Sequence, residues 1–301
     1  MRKGKQRIFY FSKNLILLKY CILFFIRLEY SKILSNGYSK ERLLTMHKLY
    51  FSSYIGEKKP ETIINRQSAC PFCERDQLTG ILETEEDMIW LENKYPTIQN
   101  TYQTLIIETD HCSEDIAVYR KAKMRKLIRF SLEKWLNMEA QDCFKSVILY
   151  KNYGPFSGGS IKHAHMQIVG LEQVDYMKEL LPEHFQGIKV IEKPSEIELN
   201  LSTNPIMGFT EFNMIINDTL EHTDKLADYI QKTVQYVLYD FNQKCSSYNM
   251  FFYHTNLKII CKIVPRFVAS PFFIGYKIPQ VSVDQRLNEI RTQLIKKMNE
   301  K

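Results

Sequence analysis

No stretch of this chain stays apolar long enough to cross a membrane as a helix, which takes roughly 20 mainly apolar residues. The nearest approach, Leu15 to Ile26, is interrupted by Lys19. No small-residue cleavage site of the kind a secretory signal requires accompanies it. A paired cysteine framework is also missing. The cysteines number seven, and only Cys70 and Cys73 form a tight pair. That pattern argues against a disulfide-stapled secreted domain and for a reducing, cytoplasmic setting. Finally, most of the chain lacks excess positive charge. The net charge is +7, yet residues 1–45 carry ten basic residues against two acids, Glu29 and Glu41. The remainder is therefore close to neutral, and an electrostatic nucleic-acid surface on the folded part is not expected.

What is present reads as a soluble globular protein. At 301 residues, with 45% hydrophobic and 25% charged residues, the chain can bury a substantial core. Residues 1–45 stand apart as a poorly defined extension. They fit a weak membrane anchor, an amphipathic surface segment or an upstream extension that is not native, and Met46 directly before globular sequence favours the last. Beyond it, β-like runs and helical spacing alternate, which predicts an α+β fold. A helix is expected over residues 113–138, with Ile116, Leu127, Phe130, Leu132 and Leu136 as core. Another is expected over 223–241, and a closing amphipathic helix over 284–301. A short helix broken at Pro182 is expected over 178–185.

Chemistry concentrates in the run from Asn152 to Gly170. Gly154, Gly158 and Gly159 allow a tight turn and close approach to a ligand. His163, His165 and Gln167 then alternate, so an extended strand would place them on one face. Such a row suits metal binding, attack on an electrophile and phosphate binding; a hairpin edge with two surface histidines is the plain alternative. Upstream, Cys70-Pro71-Phe72-Cys73 reads as half of a zinc site, a redox pair or two buried thiols. His111 falls just past a strand end. Arg266 is placed to clamp a phosphate or to pair with a structural acid. The second half repeats the plan weakly: Phe212 to Asn217 parallels Leu105 to Glu108, and Tyr248 to Tyr253 parallels Val147 to Tyr150. Residues 257–264 take the place of the histidine strand without its histidines.

In this order, Cys70 and Cys73, Asn93-Lys94-Tyr95-Pro96, Asp110-His111, Asn152, Ser160 and His163-Ala164-His165-Met166-Gln167 resemble the motifs of the galactose-1-phosphate uridylyltransferase branch of the histidine triad superfamily. The resemblance implies a histidine-triad-like α+β fold, antiparallel sheets with packed helices, in two pseudo-repeats of which the second is degenerate. It implies a zinc-containing catalytic half at 46–185 and a degenerate half at 186–301. Cys70, Cys73, His111 and His163 would bind zinc. His165 would be the nucleophile, with Gln167 and Ser160 on the phosphate. Asn93, Asn152, Gly158, Gly159 and Arg266 would serve the nucleotide.

The implied activity is nucleotidyl transfer from a nucleoside diphosphate sugar or related pyrophosphate through a nucleotidyl-histidine. A hydrolase or phosphorylase, or a zinc-stabilised nucleotide-binding protein without turnover, are the alternatives. The expected partner is a nucleotide or nucleotide sugar, with a homodimer also implied. Ala164 departs from the family's proline, and Lys277 stands where relatives carry a sugar-contacting acid, which points to an uncharacterised branch. The second repeat lacks a His-x-His, so no iron is expected there.

Overall fold

The computed structural model describes residues 48–300 apart from 66, 194, 195 and 256. The expectations for residues 1–45 lie outside the described residues. In the first half, β1 (Ile81–Glu85), β2 (Met88–Glu92) and β3 (Thr101–Ile107) form a meander. A 19-residue helix, Lys121–Glu139, leads to the hairpin of β4 (Ser146–Tyr153) and β5 (His165–Leu171).

The second half runs through β6 (Gly187–Lys193), β7 (Ile197–Ser202), the two-residue β8 (Gly208–Phe209) and β9 (Phe212–Asn217). The helix Thr223–Gln235 follows, then β10 (Tyr248–Thr255) and β11 (Lys258–Pro265). β8 pairs in parallel with β12 (Gln280–Val281) as a separate small ribbon. Helix Asp284–Asn299 closes the chain.

Ten strands make one sheet in the order β1-β2-β3-β5-β4-β10-β11-β9-β7-β6. The order is a palindrome of the two halves, joined where β4 pairs antiparallel with β10. The fold is thus the expected α+β arrangement of two pseudo-repeats. Register carries the symmetry down to single residues. Leu91, Leu105, Gln167, Tyr150, Phe251, Lys262, Asn213 and Asn200 stand opposite one another on successive strands. The centre of this row lies between Tyr150 and Phe251, which makes Lys262 the counterpart of Gln167.

Alternation along the strands separates two faces. Ile106, Leu149, Met166, Met250, Ile263 and Phe212 belong to the main core with the helices. On the other face, Leu91, Leu105, Ile107 and Ile161 gather around Phe72. The helix Lys121–Glu139 buries Met124, Leu127, Ile128, Ser131, Trp135 and Met138, the spacing of one helical stripe. Trp135 is fully buried, and its indole N–H donates to the Val147 carbonyl at 2.9 Å. Burial of a side chain this large stabilises by roughly 4–6 kcal/mol by area. Arg125 then ties this helix to Asp228 of its counterpart, at 2.8 and 2.6 Å.

Two local expectations differ from the structure. The first long helix begins at Lys121, not near residue 113. The intervening turns place Asp115 and Tyr119 in a buried polar network, while Ile116 remains a core residue. Around Pro182 there are two short turns, Tyr176–Glu179 and Pro182–Phe185, because proline cannot continue the preceding one. Among the described residues, no helix is long and apolar enough to cross a membrane.

Candidate active site

The β4–β5 connection turns on two glycines. Gly154 and Gly158 both have φ of +82°, a conformation other residues rarely adopt. At Gly154 a Cβ would also meet the Ser246 carbonyl at 2.3 Å. Residues 62 and 160–162 staple the connection to the chain leading up to Cys70. Thr62 N–H donates to the Ser160 carbonyl, and Thr62 Oγ1 accepts from Lys162 N–H, both at 2.8 Å. Ser160 Oγ is left buried without a hydrogen-bond partner.

His163 sits just before β5 and is fully buried. Its Nε2 lies 2.8 Å from the Thr109 carbonyl, a bond that only an N–H can make. Nδ1 is therefore the free lone pair, and it faces Cys70 Sγ at 3.5 Å and Cys73 Sγ at 3.6 Å. Cys112 completes the group, with all four donor atoms within 4.8 Å of one another. Bond lengths of about 2.3 Å to sulfur and about 2.0 Å to nitrogen place tetrahedral N and S ligands about 3.5 Å apart. The donor set and these edges fit a structural zinc. Burial pushes the Cys70 thiol up, but hydrogen bonds from His163, the Phe72 backbone and the neighbouring thiols bring it down to about 6.

His165 opens β5 on the same side of the chain. Its Nδ1 lies 2.8 Å from the His163 carbonyl, so Nδ1 carries the proton and Nε2 keeps its lone pair. Burial, outweighing the hydrogen bond to His163, lowers its pKa to about 4, with Lys151 and Lys59 adding to the effect. The imidazole is neutral at physiological pH. Phe72 packs edge-on against it, ring centroids 5.3 Å apart. Gln167 follows on the same face, its Oε1 accepting from the Tyr150 hydroxyl at 3.0 Å.

These residues border a cavity of about 150 Å³. Its walls include Lys59, Phe72, Gln77, Asn93, Lys94, Tyr95, Leu105, His165 and Gln167. Burial lowers the pKa of Lys59 there. Asn93 is held in place by its own turn, Oδ1 accepting from Tyr95 N–H at 2.9 Å.

Not every residue singled out in the sequence joins this cluster. His111 lies outside the four-donor group: its side chain is 66% exposed and faces Asp110 at 3.5 Å. Cys112, the next residue, stands in its place. Arg266 is not part of the cavity wall; its guanidinium meets the Met207 sulfur at 2.9 Å. Asn152 accepts from Asn249 Nδ2 at 2.6 Å, a link to the second half, and packs beside Gly159. Gly158 faces open space. Lys59, Tyr150 and Cys112 were not singled out. Only Cys112 carried a signal, as a third thiol one residue after His111.

Beneath β5, on the helix side, Lys151 is fully buried between Glu108 at 2.6 Å and Asp115 at 2.8 Å. Burial opposes its charge, but the two carboxylates more than offset this and raise its pKa. Tyr119 and Tyr248 hydroxyls donate to the same carboxylates. The network fixes the 108–115 segment, and with it Thr109 and Cys112.

Residues 51–174 match the N-terminal domain, and residues 177–298 the C-terminal domain, of DUF4931, both described as domains of unknown function. A crystal structure of a DUF4931 family protein from Bacillus cereus is 54% identical, covers 73% of this chain and 100% of its own, and superposes with a TM-score of 0.66. A uridylyltransferase structure is 15% identical over 77% of this chain and 92% of its own, with a TM-score of 0.61. An ADP-glucose phosphorylase from Arabidopsis thaliana with bound ADP-glucose is 17% identical over 81% and 97%, with a TM-score of 0.59. No curated protein matches the sequence significantly.

Proposed function

The chain belongs to the DUF4931 family and has the fold of the galactose-1-phosphate uridylyltransferase-like branch of the histidine triad superfamily, and from that premise we propose that it is a nucleotidyltransferase. Its substrate is a nucleoside diphosphate sugar or a related pyrophosphate. The observation that carries this reading is His165: a neutral imidazole, its Nδ1 proton engaged by the His163 carbonyl, next to a cavity that Gln167 also lines.

In the first step the Nε2 lone pair attacks the α-phosphorus. An N–P bond forms as the P–O bond to the leaving phosphate breaks, and that oxygen departs with the electron pair. An acceptor oxygen then attacks the same phosphorus, breaks the N–P bond and restores the neutral imidazole, any proton on the acceptor passing to solvent. Splitting the transfer in two avoids a single difficult displacement. A phosphate monoester, inorganic phosphate or water as acceptor makes the activity a transferase, a phosphorylase or a hydrolase. Gln167 donates to the phosphate oxygens, with the otherwise unpartnered Ser160 hydroxyl as a second donor. Lys59 and Lys94 supply positive charge at the cavity wall, and Asn93 serves the nucleotide.

Cys70, Cys73, Cys112 and His163 would hold zinc in a closed site. Bound there, it would tie three chain segments together and would leave no open position for substrate. We assign the chemistry to residues 46–185 and a scaffolding role to 186–301. Incubation with α-labelled nucleotides is expected to leave an acid-labile label on the wild-type protein and none on His165→Ala. Equal labelling of the two proteins, or none of the wild type with any nucleotide, refutes the covalent reading.

A further inference from the structure

A glutamine amide has two edges of nearly the same shape and opposite polarity. Phosphate oxygens accept hydrogen bonds, so an amide turned N–H outward attracts them and one turned C=O outward repels them. Whatever sets the amide's orientation therefore sets the value of Gln167 to the chemistry.

We propose that Tyr150 is the positioning residue that holds the Gln167 amide with its two N–H donors toward the cavity, and that the second half of the chain supports it through Phe251. The inference rests on the nucleotidyl-transfer reading of the site. Register places Tyr150 directly opposite Gln167 on the neighbouring strand. Its hydroxyl reaches Gln167 Oε1 at 3.0 Å. Burial raises the pKa of Tyr150 to about 12, so the phenol keeps the proton that it donates to Gln167 Oε1. With the amide oxygen engaged, the Nε2 edge remains for the cavity, whose wall includes Gln167 and, two residues earlier, His165.

Tyr150 is not itself part of that wall, so it acts through Gln167. The opposite flank of its ring is closed by Phe251, which lies across the β4–β10 junction. The two rings stack with centroids 6.4 Å apart and an interplanar angle of 29°. The degenerate half thereby reaches the reacting centre through one aromatic contact and one hydrogen bond.

Tyr150→Phe keeps the stack and removes the donor, so it tests the idea without opening a cavity. Transfer of label to His165 is expected to slow about tenfold, while the nucleotide dissociation constant stays within about twofold. In a Gln167→Ala background the same change is expected to add nothing further. A Tyr150→Phe protein that labels at the wild-type rate, or one whose effect persists fully beside Gln167→Ala, overturns the proposal.

A second measurement stands free of turnover. With nitrogen-15 glutamine, the side-chain resonance absent from Gln167→Ala identifies this amide. Its N–H protons are expected to exchange rapidly with water in the wild type, and the signal to broaden or split in Tyr150→Phe. Slow exchange, or an unchanged signal in the variant, refutes the orientation even if catalysis is as proposed. Failure of the wild type to label refutes the functional reading, and the resonance still decides the orientation.

Discussion

The two halves of the sheet place different side chains at matching points. In the first half, Gln167 faces a cavity, with His165 two residues before it on the same strand. At the matching point of the second half stands Lys262, and two residues before it stands Ile260. Lys262 is buried against Glu211 at 2.6 Å and donates to the His184 carbonyl at 2.8 Å. Phe185 lies under its ammonium, 5.5 Å from ring centre to nitrogen. The row neighbours differ as well: Leu105 beside Gln167 in one half, and in the other Asn213 beside Lys262, its amide hydrogen-bonded to Asn200. One half leaves hydrogen-bonding groups facing a cavity, and the other satisfies them internally. A group that must meet a ligand has to be kept unsatisfied, whereas a scaffold gains by satisfying it.

The largest expected contrast is chemical. His165→Ala should lower nucleotide labelling by roughly 10⁴-fold or more, as loss of a nucleophile does elsewhere. Introducing histidine at Ile260 and glutamine at Lys262 should create no labelling in that background, because the His184 carbonyl, the Phe185 ring and Glu211 already occupy the surroundings of position 262. Label on the doubly substituted second half would show that the halves differ only in these two side chains, and would break the comparison.

The metal-ligand assignment sharpens it next. Cys112→Ser is expected to lower bound zinc from about one per chain to a small fraction and to weaken resistance to heat, since an ion held by Cys70, Cys73, Cys112 and His163 would join three segments. His111→Ala is expected to retain the metal. Metal analysis of the two purified variants checks this, and the reverse result would return His111 to the ligand set.

How far these features were legible in the sequence follows from the distance over which each is determined. His163, His165 and Gln167 were readable because a strand's two-residue period puts alternate side chains on one face, whatever the rest of the fold does. The pseudo-repeat was readable for the same reason, since its strands keep their spacing. Cys112 was not, because the choice between two adjacent ligands depends on the path of residues 109–112, which the buried Lys151 network sets. Tyr150 was hidden in a run of apolar strand residues. Only the cross-strand register gives its hydroxyl a partner, and register is a property of two strands. Arg266 looked available because nothing local shows that Met207 will cover it.

Each half also buries a lysine, and their loss should differ. Lys151→Met leaves Glu108 and Asp115 together in the core without a cation, and is expected to cost about 3–5 kcal/mol. Glu211 has other partners: its carboxylate also accepts from the backbone N–H groups of Ile206 and Met207 at 3.0 and 2.9 Å. Lys262→Met should therefore cost less, about 2–3 kcal/mol. Urea unfolding of both variants measures the difference, and equal losses would mean that the backbone donors do not compensate.

The smallest effect concerns the junction between halves. His254, on β10, lies between Glu139 at the end of the first half's long helix and Asp218 just after β9, with Nε2 2.9 Å from Asp218. Tyr176 also faces it, its hydroxyl oxygen accepting from the His254 backbone N–H at 3.4 Å. Burial opposes protonation, but the two carboxylates outweigh it, and the pKa is raised above the ordinary 6.5. A group whose folded pKa exceeds its unfolded value binds the proton more tightly when folded. Its contribution is complete below about pH 6.5 and is lost as pH rises through the folded value. The stability of the wild type relative to His254→Gln should accordingly be greatest near pH 5.5 and shrink toward pH 9, as read from urea midpoints. A gap that stays constant across this range would mean that the imidazole joins the halves by packing against Trp135, whose ring lies 6.0 Å away, and not by charge.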